Sequence, residues 1–301
     1  MSIRIQKKQP ISSRCVTSSK VEMVVEGERN VLVPWWSITK SVLAVAVLRL
    51  VDRGMLDLDD RFDDWPFTIR HLLQHTSGLT SYGGPDYQKA VATGDPVWSV
   101  DELLERRDAR RLLFSPGMGW AYSNIGYLFI RQLIVRMMGS DLDQALQELI
   151  FSPMQIKGTR IAEKPDDMAQ TLWGNPTDYD PHWVYHGLLI GPPADAVAFL
   201  NQLLTTEFLS KPLLAAMQDR RALDFELSNR PWEDTGYGLG LMIGSMKRVG
   251  RVVGHSGVGN ASVSALYAFL ELPGMSIVSA FAEGTDEGVA EHEALRLAKM
   301  A

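Results

Sequence analysis

The chain has 301 residues, 46% of them hydrophobic, with a net charge of −6 at pH 7 and a pI near 5.6. That length and apolar content support a sizeable core in one large domain or two intimate ones. The acidic balance leaves no global positive field to hold nucleic acid or an anionic membrane, so neither is expected as a partner. Cys15 is the only cysteine, which excludes an intrachain disulfide. Arg4, Lys7 and Lys8 are followed by no apolar stretch, so a secretory signal is not expected and a cytoplasmic location is.

In chain order, residues 1 to 20 are polar and unpatterned, and Val21 to Asn30 reads as a strand running into a turn. A short apolar run, Val31-Leu32-Val33, leads to Pro34-Trp35-Trp36-Ser37-Ile38-Thr39-Lys40, and the helix that starts at Ser37 is apolar almost all round until Gly54. Such a helix is buried, and its first turn is held rigidly. Only eight residues, Ser41 to Leu48, separate Lys40 from Arg49, far short of the ~20 needed to span a bilayer. An acidic loop, Asp57 to Asp60, precedes a helix around Thr68 to His75 that stops at Ser77-Gly78.

Residues 79 to 97, rich in Gly, Pro, Ser and Tyr, read as a long surface loop. Asp101 to Leu113 reads as a helix whose Arg106, Arg107, Arg110 and Arg111 interleave with Glu102, Glu105 and Asp108, the pattern of a solvated, ion-paired face. Ser115-Pro116-Gly117 is a turn, and helices follow at Tyr127 to Met138, Leu142 to Ile150 and Ala194 to Leu204. Residues 164 to 194 carry few periodic signals. Beyond Trp232, strands are expected at Tyr237 to Ile243, Arg251 to His255, Ser262 to Leu270 and Met275 to Phe281, then a helix at Glu287 to Lys299. Strands at both ends with helices between imply an α/β (α+β) fold in which one antiparallel sheet, flanked by helices, is assembled from both chain termini. The expected division is residues 1–57 with 232–301 as the sheet domain and 58–231 as an inserted, mostly helical domain.

Ser37 and Lys40, three residues apart, lie on one face of a helix with the amine within reach of the hydroxyl. Two later stretches, Tyr122-Ser123-Asn124 and His255-Ser256-Gly257, line up with Ser37-Ile38-Thr39-Lys40 in order and type. Together the three resemble the serine β-lactamase and D-alanyl-D-alanine peptidase family, in its class C and esterase-like branch. Asp57 to Asp60, Ile69 to Leu79, Phe114 to Gly117 and Tyr237-Gly238-Leu239-Gly240 look like further recurring segments of that family, so the resemblance runs from about Met23 to Phe281.

The resemblance implies a β-lactamase/transpeptidase-like fold and a serine hydrolase acting on a small ester, amide or β-lactam, with no cofactor and a small acyl compound as partner. Ser37 would form the acyl-enzyme, with Lys40 or Tyr122 as the base; the two titrate as a coupled pair, so the sequence does not assign the proton to one. Ser37 and Val258 would supply the backbone N–H donors for the developing oxyanion. His255 takes the place of a lysine and would bind a substrate carboxylate or polarise Tyr122. Asn124, hydrogen-bonding Lys40 or the acyl amide, would complete the substrate site with Ser256, Gly257 and Trp36. Trp36 stands where the family has a small residue, which narrows access to Ser37 or makes one wall aromatic.

Two rival readings carry a different chemistry. His71 with His75, and His182 with His186, have helical i,i+4 spacing suited to a metal, but Leu72 follows the first His where a zinc protease has Glu, and no metal site is expected. The other is a catalytically weak or inactive ligand-binding sensor of the same fold, favoured by Trp36 and opposed by the presence of Ser37, Lys40 and Tyr122. Oligomeric state is not legible. Aromatic Trp35, Trp36, Tyr82, Tyr87, Trp120 and Trp183 suggest an apolar cleft suited to small acyl esters.

Overall fold

A computed structural model describes residues 11–18, 20–26, 31–173, 179–224 and 227–300. The unpatterned residues 1 to 10 and the turn expected at Gly27 to Asn30 lie outside them. The elements run β1 (Ile11–Ser18), β2 (Lys20–Glu26), β3 (Val33–Pro34), α1 (Ile38–Asp52), α2 (Ile69–Leu73), α3 (Pro85–Thr93), α4 (Val100–Arg106), α5 (Asn124–Met138) and α6 (Leu142–Leu146). After a π-helical turn at Gln147–Phe151 come β4 (Arg160–Ile161), α7 (Pro165–Ala169), a 3-10 turn at Pro181–Trp183, β5 (Leu189–Gly191), α8 (Pro193–Thr205) and α9 (Lys211–Gln218). The chain ends with β6 (Arg221–Leu223), β7 (Trp232–Tyr237), β8 (Met242–Met246), β9 (Gly250–Val258), β10 (Ser262–Phe269), β11 (Ser276–Glu283) and α10 (Glu287–Ala298).

Eight strands form one antiparallel sheet in the order β2-β1-β11-β10-β9-β8-β7-β6, so strands from the two ends of the chain meet at the β1·β11 pair, with Ile11 opposite Phe281. A second sheet, β3-β5-β4, fastens the entry to α1. Period-two alternation gives the large sheet two apolar faces. Leu266 and Ala268 join the core that contains α1 and α8, whereas Ala265, Tyr267 and Phe269 pack with Ala290 and Ala294 of α10 on the other side. The helix α1 is buried from Ile38 through Leu48 and packs against α5, β9 and β10, so its first turn is fixed from several directions. No helix among the described residues is long and apolar enough to cross a membrane.

Several elements differ from the sequence expectation, each for a physical reason. Residues 11–18 are a strand although their composition is polar, because backbone pairing to β2 and β11 on both sides supplies what propensity does not. The loop expected at 79 to 97 contains α3, and the residues that suggested a loop are its caps: Gly84 at the N-cap, Pro85 in the first turn and Gly94 at the C-cap with φ 68°. α4 stops at Arg106 rather than Leu113, with Asp108 left-handed at φ 44° just beyond. Its Arg106 and Arg107 pair with Glu102 and Asp86, as an ion-paired face requires. The helix expected from Leu142 to Ile150 loosens into the π-helical turn after Leu146. α9 and β6 are not among the elements expected from the sequence.

Tyr237 to Ile243, expected as one strand, instead spans the end of β7, a turn at residues 238–241 and the start of β8. Gly240 there has φ +75°, and a Cβ at that position would lie 2.4 Å from the Cβ of Ala44 in α1. Its carbonyl accepts from Ser41 Oγ at 2.7 Å, so the turn is clamped onto the second turn of α1. Gly240→Ala combines left-handed strain with overpacking and is expected to cost about 2–4 kcal/mol; a urea titration with an unchanged midpoint would contradict that packing.

Candidate active site

Ser37 sits at the N-cap of α1 with helical dihedrals, and the preceding Trp36 is left-handed at φ 47°. A bulky residue holds that conformation only when its surroundings fix it. Here Trp36 Nε1 donates to Ser262 Oγ at 2.9 Å, its ring edge meets Tyr179, and the backbone of Gly259 lies so close that a Cβ there would be 2.3 Å from the indole. The backbone leading into Ser37 is thereby locked to the β9–β10 connection.

One turn on, Lys40 Nζ lies 3.1 Å from Ser37 Oγ, and the whole side chain is buried. Burial pushes its pKa well below the usual lysine value, with the Glu287 carboxylate pulling weakly the other way. The amine has a second partner, His186 Nε2 at 3.1 Å, and His186 Nδ1 is 3.2 Å from the Tyr82 hydroxyl. His186 is also buried, and burial pushes its pKa well down, so the imidazole is neutral.

Tyr122 enters from the segment ahead of α5. That helix begins at Asn124 rather than Tyr127, because Ser123 caps it by accepting from Gly126 N–H at 3.0 Å. The Ser123 N–H donates to His75 Nδ1 at 3.1 Å, and the His75 ring packs on Tyr122 at 4.3 Å. Tyr122 and Ser37 line the same cavity wall, and Lys40 Nζ lies 5.1 Å from the Tyr122 ring centre. Burial raises the Tyr122 pKa, so the phenol keeps its proton. The same low-dielectric surroundings therefore favour the neutral amine and the neutral phenol over an ammonium–phenolate pair.

The third motif lies on β9. Gly257 has no room for a side chain: a Cβ would be 2.5 Å from the Ser37 nitrogen and 2.8 Å from the Trp36 Cβ. His255 is buried, its pKa is pushed down to about 3 chiefly by burial, and its Nε2 meets the Tyr237 hydroxyl at 2.9 Å. It touches Tyr122 only ring to ring, at 6.3 Å, and a neutral imidazole is no cationic anchor. Ser256 Oγ is engaged with Arg230 and Glu287. Asn124 donates its backbone N–H to Ser81 Oγ, and the Lys40 partner expected of its side chain is His186 instead.

Two cavities meet at Ser37, Asn124 and Val258. The larger, about 500 Å³, is walled by Trp36, Tyr82, Tyr87, Tyr179 and His186. The smaller, about 350 Å³, is walled by Trp120, Tyr122, Tyr237, His255, Arg230 and Glu287. Trp35 and Trp183 belong to the core. Neither histidine pair has helical geometry: His75 lies past the end of α2 at φ 59°, and His182 is exposed on Asp180 while His186 is buried against Lys40. His71 caps its own helix through Thr68. Among the described residues no cluster of three His, Cys, Asp or Glu is placed to hold a metal. Tyr82 lines the larger cavity, as an aromatic cleft residue is expected to. His186, Arg230 and Glu287 carry no active-site signal in the sequence beyond the spacing that pairs His186 with His182.

A family model described as Beta-lactamase matches residues 27–293. Penicillin-binding protein 4* of Bacillus subtilis (strain 168) is 26% identical over 258 residues, covering 73% of this chain and 54% of that protein. Esterase EstB of Burkholderia gladioli is 33% identical over 142 residues, covering 40% of this chain and 36% of the esterase. The chain thus spans about half the length, or less, of these curated relatives. D-amino acid amidase from Ochrobactrum anthropi SV3 has the same fold, with a TM-score of 0.78 at 21% identity over 97% of this chain and 95% of that one.

The arrangement has a pH consequence. If Ser37 is the nucleophile and Lys40 takes its proton, labelling of Ser37 by a fluorophosphonate is expected to be lost as pH falls through a midpoint below the usual ~10.4 of lysine. The His186 lone pair favours the ammonium form of Lys40. His186→Phe should therefore move that midpoint to lower pH, and loss of the second anchor should lower the high-pH plateau about tenfold. An unchanged midpoint and plateau would show that His186 does not act on Lys40.

Proposed function

We propose that this chain, which belongs to the Beta-lactamase family, is a serine hydrolase that cleaves small esters and amides through an acyl-enzyme on Ser37. The observation that carries this reading is a buried amine, Lys40 Nζ, 3.1 Å from a hydroxyl that opens onto two cavities. Ser37 Oγ attacks the carbonyl carbon while Lys40 Nζ takes its proton. The new ammonium donates to His186 Nε2, and the oxyanion is held between the backbone N–H groups of Ser37 and Val258. Tyr122 then relays the proton to the leaving group, the carbonyl–leaving-group bond breaks, and water enters by the same route in reverse to hydrolyse the ester on Ser37. The cleft is proposed to lie between a sheet unit, residues 1–57 and 232–301, and a helical unit, residues 58–231.

The larger cavity, walled by aromatic rings, suits an apolar acyl group. A neutral His255 gives little hold on the carboxylate of a β-lactam, so esters are the preferred class. Wild type is expected to hydrolyse p-nitrophenyl acetate and butyrate with weak or no turnover of nitrocefin, and Ser37→Ala to lose all of it. Lys40→Ala and Tyr122→Phe should each lower the rate about 10²-fold or more, and the double variant should be little worse than either if they pass one proton between them. Efficient nitrocefin turnover with inert esters would reverse the substrate assignment, and full ester turnover by Ser37→Ala would remove the nucleophile.

A further inference from the structure

The smaller cavity carries a charge arrangement that the acyl-transfer chemistry leaves unused. Arg230 is matched to Glu291: its Nε donates to Glu291 Oε2 at 2.7 Å and its Nη2 to Oε1, and Glu291 is fully buried, also accepting from Trp232 Nε1 and Tyr267 Oη. That pair is neutral as a unit. Glu287, at the start of α10, takes one further bond from Arg230 Nη1 at 3.0 Å and one from Ser256 Oγ at 3.2 Å. It is the carboxylate that faces the cavity, with a quarter of its side chain exposed. A carboxylate offers about four lone-pair positions, so Glu287 retains acceptor capacity.

The other titratable groups on this wall do not offset it. Lys40 and His255 are held neutral by burial, and Tyr122 and Tyr237 keep their protons. With Glu287 ionised, the formal charges of Arg230, Glu291 and Glu287 sum to one negative charge. Burial raises the Glu287 pKa while Arg230 beside it acts to lower it. The Glu287 carboxylate raises the proton affinity of Lys40 and of Tyr122, where Arg230 acts in the opposite sense. Around Glu287 stand the rings of Trp120, Tyr122 and Tyr237. A carboxylate with several aromatic faces is the chemistry that receives an ammonium or quaternary ammonium group.

Which half of the substrate enters follows from the proton path. The group that hands a proton to the departing atom must be on the departing side, and Tyr122 lines the smaller cavity and not the larger. Resting on the acyl-enzyme reading above, we propose that the smaller cavity is a leaving-group site selective for cations, with Glu287 as its specificity determinant. A leaving group that ends in a carboxylate, as in a peptide C-terminus, is repelled there.

Three thioacetates test this: acetylthiocholine, its uncharged analogue S-(3,3-dimethylbutyl) thioacetate, and 3-(acetylthio)propanoate. In each, Ser37 Oγ bonds to the acetyl carbon, the C–S bond breaks and the thiol leaves with the relayed proton. All give the same acetyl-enzyme, so kcat/KM, divided by each compound's own rate with hydroxide, reports the leaving-group site alone. The cation is expected to exceed the neutral analogue about tenfold or more, and the anion to fall below it, the difference shrinking in 1 M NaCl. Glu287→Gln should cut the cation-to-neutral ratio about tenfold. Equal normalised rates in wild type, a faster anion, or a ratio unchanged in Glu287→Gln would overturn the proposal. If Glu287→Gln fails to fold, the wild-type series at low and high salt decides. Hydrolysis of all three by Ser37→Ala at the wild-type rate would instead overturn the acyl-enzyme reading, which separates the two failures.

Discussion

Burial of Lys40 is the constraint on which the site depends. An ammonium enclosed among apolar side chains is costly, and the protein relieves the cost by letting the group lose its proton. That relief leaves a helix residue able to accept a proton. It requires that α1 be covered on all sides, which the large sheet, α5 and the π-helical turn after α6 together accomplish. It also requires that the few polar contacts left to the amine be the right ones, and these are Ser37 Oγ and His186 Nε2. The apolar composition of α1 is thus a chemical feature as well as a packing one.

The same enclosure bears on the two bases that the sequence left open. Low dielectric favours the uncharged member of each group, so the amine waits without its proton and the phenol with its own. Tyr122 is therefore suited to relay a proton rather than to seize the first one. His186 adds a partner that can respond: its neutral ring accepts from the ammonium when Lys40 is charged, and its other nitrogen meets Tyr82. In the proposed reaction the two cavities divide the substrate, with rings for the acyl group on one side and a carboxylate with rings on the other.

Much of this was legible in the chain, and the rest was hidden for identifiable reasons. The buried helix announced itself by an apolar run, and Ser37 and Lys40 by their spacing within it, because both signals are local. Tyr122 and His255 were reached through motif resemblance, and the structure adds that His255 is held by Tyr237 and neutral. His186 lies 146 residues from Lys40, and no local pattern links them. Arg230 and Glu287 are likewise joined only by tertiary packing, 57 residues apart. Errors in the elements came from residues with two uses. Gly84, Pro85 and Gly94 punctuate a loop and cap a helix equally well, and the Gly-Leu alternation after Tyr237 imitates a strand although Gly240 is left-handed. β1 is a strand by virtue of its neighbours rather than of its own residues.

The central claim, that Lys40 is an uncharged amine in the resting protein, is open to direct observation. With lysine labelled at Cε and the Lys40→Arg spectrum used for assignment, an NMR titration reports the protonation of that one side chain. The account predicts a chemical shift that changes to the ammonium value only as pH is lowered well below the ~10.4 of an ordinary lysine. A Lys40 signal that stays at the ammonium value up to pH 10 in the folded protein would contradict it.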